Sequence, residues 1–148
     1  MLTHSTELKT KMTTYNVTVP TKISAENISD LVISALEGGS NYWLSRIRIR
    51  PEGNTEDPTK GEFWQNTSGA ELKEEAFWAN LSTASIVIEL AEEEEPDDVV
   101  QTSITRQDVE TALGKLYQRR GGFDMDNFDA EDGDMFLQVL LLKEHTYG

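Results

Sequence analysis

Two stretches of the chain share one helical period and end the same way. In SAENISDLVISALEGG the apolar residues Ile28, Leu31, Val32, Ala35 and Leu36 fall at i, i+3, i+4, i+7 and i+8. In TRQDVETALGKLYQRRGG the residues Val109, Ala112, Leu113, Leu116 and Tyr117 repeat that series. Ser24 opens the first as an N-cap, and Thr105-x-x-Asp108 opens the second as a variant of the capping box. Paired glycines, 38–39 and 121–122, close them, and one of Gly38 and Gly39 is expected to take the left-handed cap conformation. A helix with one apolar stripe must bury it against another layer, so these two helices demand a sheet or a third helix.

The segments around them carry the two-residue period of strands. TYNVTVP (14–20) alternates and is ended by Pro20; NYWLSRIRIR (41–50) places Trp43, Ile47 and Ile49 on one face and Arg46, Arg48 and Arg50 on the other. ASIVIELAEEEE (84–95) is a strand with Ile86, Ile88 and Leu90 on one face, and VVQTSI (99–104) is its return. Glu92–Glu95, Pro96, Asp97 and Asp98 read as a solvated turn between them. Residues 51–70 read as a long loop, and 71–81 as a short helix at best. The closing MFLQVLLLKEHTYG is apolar on nearly all sides and reads as a buried helix or strand. The expected fold is α+β, a mostly antiparallel sheet of about four strands with two or three helices packed on one face. Residues 13–148 are expected to form a single domain, and residues 1–12 a disordered tail in which Met12 is an alternative start.

Charge narrows the function classes. The 148 residues carry 13 Lys and Arg against 27 Asp and Glu, a net −14. Residues 1–50 are net +2 and residues 51–148 net −16, so the molecule has a directional field. Direct binding to nucleic acid needs the opposite sign. No apolar run is long enough to span a membrane, and the polar start lacks a secretory h-region. Absence of cysteine removes disulfides, thiolate zinc sites and cysteine nucleophiles, and fits a reducing cytoplasm.

Three arginines on one strand face need anions close by. Glu89 and Glu92–Glu95 can supply them across the sheet, as a charge ladder; a phosphate-bearing ligand is the other source. Counted from Asp124, the aspartate-rich DMDNFDAEDGD puts Phe128 at position 5, Asp129 at the glycine position and Met135 at the closing glutamate of a calcium loop, so no metal is expected and Asp129 and Asp132 are read as capping the last element. His4 and His145 lack a nucleophile motif, and no phosphate loop or dinucleotide fingerprint is present. No catalytic residue and no cofactor are assigned, and the chain reads as a non-enzyme more than as an enzyme. The aromatics come in adjacent pairs, Tyr42–Trp43, Phe63–Trp64 and Phe77–Trp78; in a strand one of each pair would be core and the other exposed.

The joint Gly38, Gly39, Ser40, Asn41, Tyr42, Trp43 and the ending with Asp129, Asp134, Phe136, Leu137, Gln138, Glu144, Tyr147 and Gly148 resemble a widespread family of small phage and prophage proteins of unknown function. The resemblance covers both ends of the chain but not residues 51–95, and Lys143 and His145 stand where that family more often has a small or apolar residue. It implies a phage accessory protein in a bacterial cytoplasm and implies no activity. The joint itself is expected to hold helix to strand, with the closing Tyr-Gly packed against it.

Two functions follow as expectations. The first is a non-enzymatic binding protein that occupies a host protein, such as a defence or nucleic-acid-handling factor. Its surface would comprise Glu92, Glu93, Glu94, Glu95, Asp97, Asp98, Asp124, Asp126 and Asp129. The second is a binder of a small nucleotide-like anion through Asn41, Tyr42, Trp43, Arg46, Arg48 and Arg50. A structural phage protein without a ligand is the remaining alternative, and a homo-oligomer is left open.

Overall fold

A computed structural model describes residues 14–16, 22–50, 70–82, 85–121 and 128–147. The expected tail, the second half of the first strand, most of the long loop, Asp124 and Asp126 lie outside the described residues.

The chain is an α+β fold. β1 (Thr14–Asn16) pairs antiparallel with β2 (Lys22–Ser24), which runs straight into α1 (Ala25–Ser34) and a π-helical turn (Ala35–Gly39). After β3 (Leu44–Ile49) come a 3-10 turn (Ala70–Lys73) and the short α2 (Glu75–Asn80). The hairpin of β4 (Ile86–Glu92) and β5 (Glu95–Ile104) leads into α3 (Arg106–Arg120), and α4 (Ala130–Leu142) is the last helix. The main sheet has the order β3-β4-β5 and is antiparallel throughout.

Capping follows the side chains. Ser24 accepts from the Asn27 N–H at 3.2 Å while Asn27 accepts from the Ser24 N–H at 3.3 Å. Thr105 with Asp108, and Asp129 with Asp132, close the same reciprocal box at the starts of α3 and α4. α3 stops at Gly121, whose φ of 76° is left-handed. The other glycine pair behaves differently from expectation: neither Gly38 nor Gly39 is left-handed, and α1 instead widens into the π turn. Gly39 has another use: a Cβ there would sit 2.3 Å from the Ala130 carbonyl oxygen, so its bare backbone lets the start of α4 approach.

α4 is buried continuously from Gly133 to Leu141, which explains a segment apolar on all sides. One core joins it to Ile28, Leu31 and Val32 of α1, to Val109, Leu113 and Leu116 of α3, and to Ile47, Ile88, Leu90 and Ile104 of the sheet. The first strand is not part of that sheet. It pairs locally with β2 and is held among the helices: Tyr15 is buried, its hydroxyl donates to the Trp78 carbonyl at 2.7 Å, and Arg106 lies 4.0 Å over its ring. Among the described residues the main sheet therefore has three strands, against about four expected. β3 also starts later than expected, because residues 41–43 form a turn and a bulge between Leu44 and Arg46 puts Leu44 on the Ile47 face. Pro96, Asp97 and Asp98 belong to β5, and the hairpin turn is Glu93–Glu94 alone.

Candidate functional site

The joint at residues 37–43 closes by its own backbone. The Ser40 N–H donates to the Ala35 carbonyl at 2.8 Å, and the Ser40 carbonyl accepts from the N–H groups of Trp43 and Leu44 at 3.2 and 2.9 Å. That geometry points three side chains at one carboxylate on α4. Asp134 accepts from Ser40 Oγ at 2.8 Å, Tyr42 Oη at 2.7 Å and Trp43 Nε1 at 2.6 Å, and from Gln138 Nε2 one helical turn on at 3.0 Å. Its burial is compensated, since both oxygens accept from two donors each. Burial and the bond to Asp134 push the Tyr42 hydroxyl pKa up to about 12.

Gln138 carries the network to the end of the chain. Its Oε1 accepts from the N–H groups of Thr146 and Tyr147 at 3.0 and 2.7 Å, and its Nε2 donates to the Tyr147 carbonyl at 3.2 Å. The Tyr147 ring stacks on Trp43 with centroids 5.5 Å apart and 9° between planes. Its hydroxyl donates to Glu92 at 2.5 Å, and that bond, with burial, raises its pKa to about 12. Of the adjacent aromatic pair, Trp43 is buried and Tyr42 is 52% exposed.

On the face of the sheet opposite the apolar core, Arg48 stands directly across from Glu89. Arg48 Nε donates to Glu89 at 2.6 Å; Arg48 and Arg50 both form salt bridges with that carboxylate, and Gln101 donates to it at 2.7 Å. Arg48 is 1% and Glu89 0% exposed. Burial raises the Glu89 pKa, but the bonds from Gln101, Arg50 and Arg48 outweigh it and hold the carboxyl below its ordinary value. For Arg48 and Arg50 the anion is thus internal and is Glu89; Arg46 stands across from Ala91, and Glu92–Glu95 take no part in these salt bridges.

The six residues expected to hold a small anion do not converge. Asn41 and Arg46 line a shallow cavity of about 170 Å³ beside Lys73; Arg48 and Arg50 are engaged by Glu89; Trp43 is buried under Tyr147. Tyr42 faces a different cavity of about 290 Å³, together with Arg119, His145, Glu131, Asp132 and Asp134. There Arg119 lies 2.8 Å from His145 Nδ1, Arg120 forms a salt bridge with Asp132, and carboxylates outnumber free cationic groups, which does not suit an anion. Among the described residues no three His, Asp or Glu side chains are grouped to hold a metal ion.

The acidic residues divide by role. Glu92 is half-buried and accepts from Tyr147, and Asp129 caps α4, where the Asp132 backbone N–H lowers its pKa. Glu93, Glu94, Glu95, Asp97 and Asp98 are exposed on the β4–β5 hairpin. The Glu95 carboxyl is raised by its hydrogen bond with Asp98 and by that neighbour's charge. Among the described residues no helix is long and apolar enough to cross a membrane.

Comparison with protein-family models, with curated proteins and with solved structures gives no match. The residues on which the architecture turns, Asp134 and Gln138, were not among those singled out for a site. Their signal is a polar residue, Gln138, inside an apolar run, with Asp134 one turn before it at i−4, so that both share the buried side of the helix and require partners.

Proposed function

We propose that this chain is a phage-encoded, non-enzymatic binding protein that occupies a basic host protein through the β4–β5 hairpin. The observation that carries the reading is electrostatic. Five exposed carboxylates, Glu93, Glu94, Glu95, Asp97 and Asp98, share one hairpin, and among the described residues no Lys or Arg forms a salt bridge with them. Their crowding raises the Glu95 pKa, through its hydrogen bond with Asp98 first and that neighbour's charge second. A surface of this kind steers a positively charged partner and is neutralised by it. The interior arginine pairs support the same reading, since Arg48 and Arg50 are bound to Glu89 and are not presented to a ligand. The phage origin rests on the resemblance at the Gly38–Trp43 joint and the Asp134–Tyr147 ending.

The test is affinity capture from the bacterial host, followed by reconstitution with the purified captured protein. The wild-type complex is expected to weaken at least about tenfold from low to high salt. Replacement of Glu93, Glu94 and Glu95 by Lys is expected to abolish it. A partner bound equally well by that variant would overturn the proposal.

A further inference from the structure

β5 is an edge strand, and its outward backbone groups can be assigned. The Arg50 N–H donates to the Val87 carbonyl at 2.9 Å, so Val87 turns its polar groups toward β3. In an antiparallel ladder the residue opposite it, Ser103, then faces away from β4, as do Gln101 and Val99 two and four residues back. Lys143 confirms the direction, since its Nζ donates to the Ser103 carbonyl at 3.0 Å from outside the sheet. No other hydrogen bond among the described residues reaches the outward N–H and C=O groups of Val99 and Gln101. Beside them Val100 is 47% exposed, one of only two large apolar side chains so exposed among the described residues.

We infer that this edge binds an extended segment of a basic protein by strand addition. The proposal rests on the hairpin reading above and adds the partner's form. The outward groups of Val99 and Gln101 and the N–H of Ser103, whose carbonyl Lys143 holds, would take the main chain of the segment, as in other strand-addition complexes. Val100 would be covered by one apolar side chain. Glu95, Asp97 and Asp98 crowd one end of the edge, so Lys or Arg residues at the matching end of the segment would neutralise them. A second copy of the chain is the less fitting occupant, because each copy carries a net −14. Pro96 and the bulge between Ala91 and Glu92 blunt the acidic end against regular pairing, which leaves Val99–Ser103 as the stretch able to form a ladder.

The experiment is an amide-resolved titration of the full chain with the peptide Lys-Lys-Lys-Thr-Val-Thr-Val, and with the same peptide N-methylated at alternate residues. Charge is identical in the two, but the methylated one cannot form the ladder. Expected are hydrogen-exchange protection of Val99, Gln101 and Ser103 on binding, and affinity about tenfold weaker for the methylated peptide, the equivalent of two backbone hydrogen bonds. Val99→Pro, which removes an outward N–H that β4 does not use, is expected to weaken the first peptide by a similar factor. The amide protection is read on the wild type, so it stands even if that variant fails to fold. Equal binding of the two peptides, without protection along β5, would overturn strand addition and leave the acidic hairpin standing. No binding of the unmethylated peptide at millimolar concentration would overturn strand addition as well, while capture of a host protein sensitive to Lys replacement at Glu93–Glu95 would keep the hairpin reading. Edge amides already protected in the free protein, with sedimentation as a dimer, would assign the edge to a second copy and refute the proposal.

Discussion

Replacing Asp134 by alanine removes the acceptor shared by four donors, and the cost can be built donor by donor. The Tyr42 hydroxyl sits on a half-exposed side chain and can turn to water; Gln138 Nε2 keeps the Tyr147 carbonyl at 3.2 Å. Ser40 is 0% exposed and Trp43 1%, so the Ser40 hydroxyl and the indole N–H lose their acceptor while buried. Each such orphan costs about 1–3 kcal/mol, which places the Ala substitution at about 4 kcal/mol. That is a large part of the roughly 5–15 kcal/mol that holds a domain folded. Asp134→Asn keeps the volume and one oxygen for Ser40 and Trp43 while setting an amide against the Gln138 amide, so about 1–2 kcal/mol is expected. Urea unfolding of the three proteins measures this directly, as a shift in midpoint at constant slope. In a double-mutant cycle, Trp43→Phe and Asp134→Ala should couple by about 1–2 kcal/mol. A loss below about 1 kcal/mol for Asp134→Ala, with the slope unchanged, would refute the claim that this carboxylate ties the joint to α4.

Gly39→Ala should destabilise by about 1–3 kcal/mol, because the new Cβ meets the Ala130 backbone at 2.3 Å, whereas Gly38→Ala meets nothing within 4 Å and should be neutral or slightly stabilising; paired thermal melts separate the two. Glu89→Ala strands the buried Arg48 charge and should cost about 3–5 kcal/mol, and the double variant Arg48→Met with Glu89→Leu should recover most of it in denaturant titrations. Tyr42 and Tyr147 have folded pKa values near 12 against an ordinary 10.0. Their contribution is therefore complete below pH 10 and lost as pH rises toward 12, because the unfolded chain gives up those protons first; unfolding midpoints at stepped alkaline pH should fall for the wild type and fall less for the Tyr42→Phe/Tyr147→Phe double variant.

Elements whose physics is local were legible in the sequence. α1 and α3 follow from a five-residue apolar series with a capping side chain at the start, and the β4–β5 hairpin from alternation interrupted by acids. The pairing of arginines with Glu89 was legible as one of two anion sources, because residues on neighbouring strands share a face by parity alone. Three features were hidden for one reason: each depends on a contact distant in the chain. The bulge at Ser45 shifts the parity of β3, and no local residue marks it. β1 leaves the main sheet because Tyr15 finds Trp78, 63 positions away. Gly39 looked like a helix cap; its neighbour is Ala130, which sequence spacing does not reveal. Gln138 was visible as a polar residue in an apolar segment and Asp134 only as one of a run of carboxylates, and their partners lie 91 to 96 positions back at Trp43, Tyr42 and Ser40.

The central position of α4 has a consequence for how the molecule is made. The helix that fills the middle of the core leaves the ribosome after α1, β3 and α3, and the turn at Ser40–Trp43 waits for it through the 91 positions that separate Trp43 from Asp134. α1, β3 and α3 emerge earlier with their apolar sides uncovered, and their burial becomes possible only once residues 133–141 arrive. Folding should accordingly be a late, concerted event that waits on contacts distant in the chain, such as those of Ser40, Tyr42 and Trp43 with Asp134. During synthesis the exposed intermediate is the aggregation-prone species, and the acidic stretch from Glu92 to Asp98, translated well before α4, supplies charge repulsion between nascent chains over that interval.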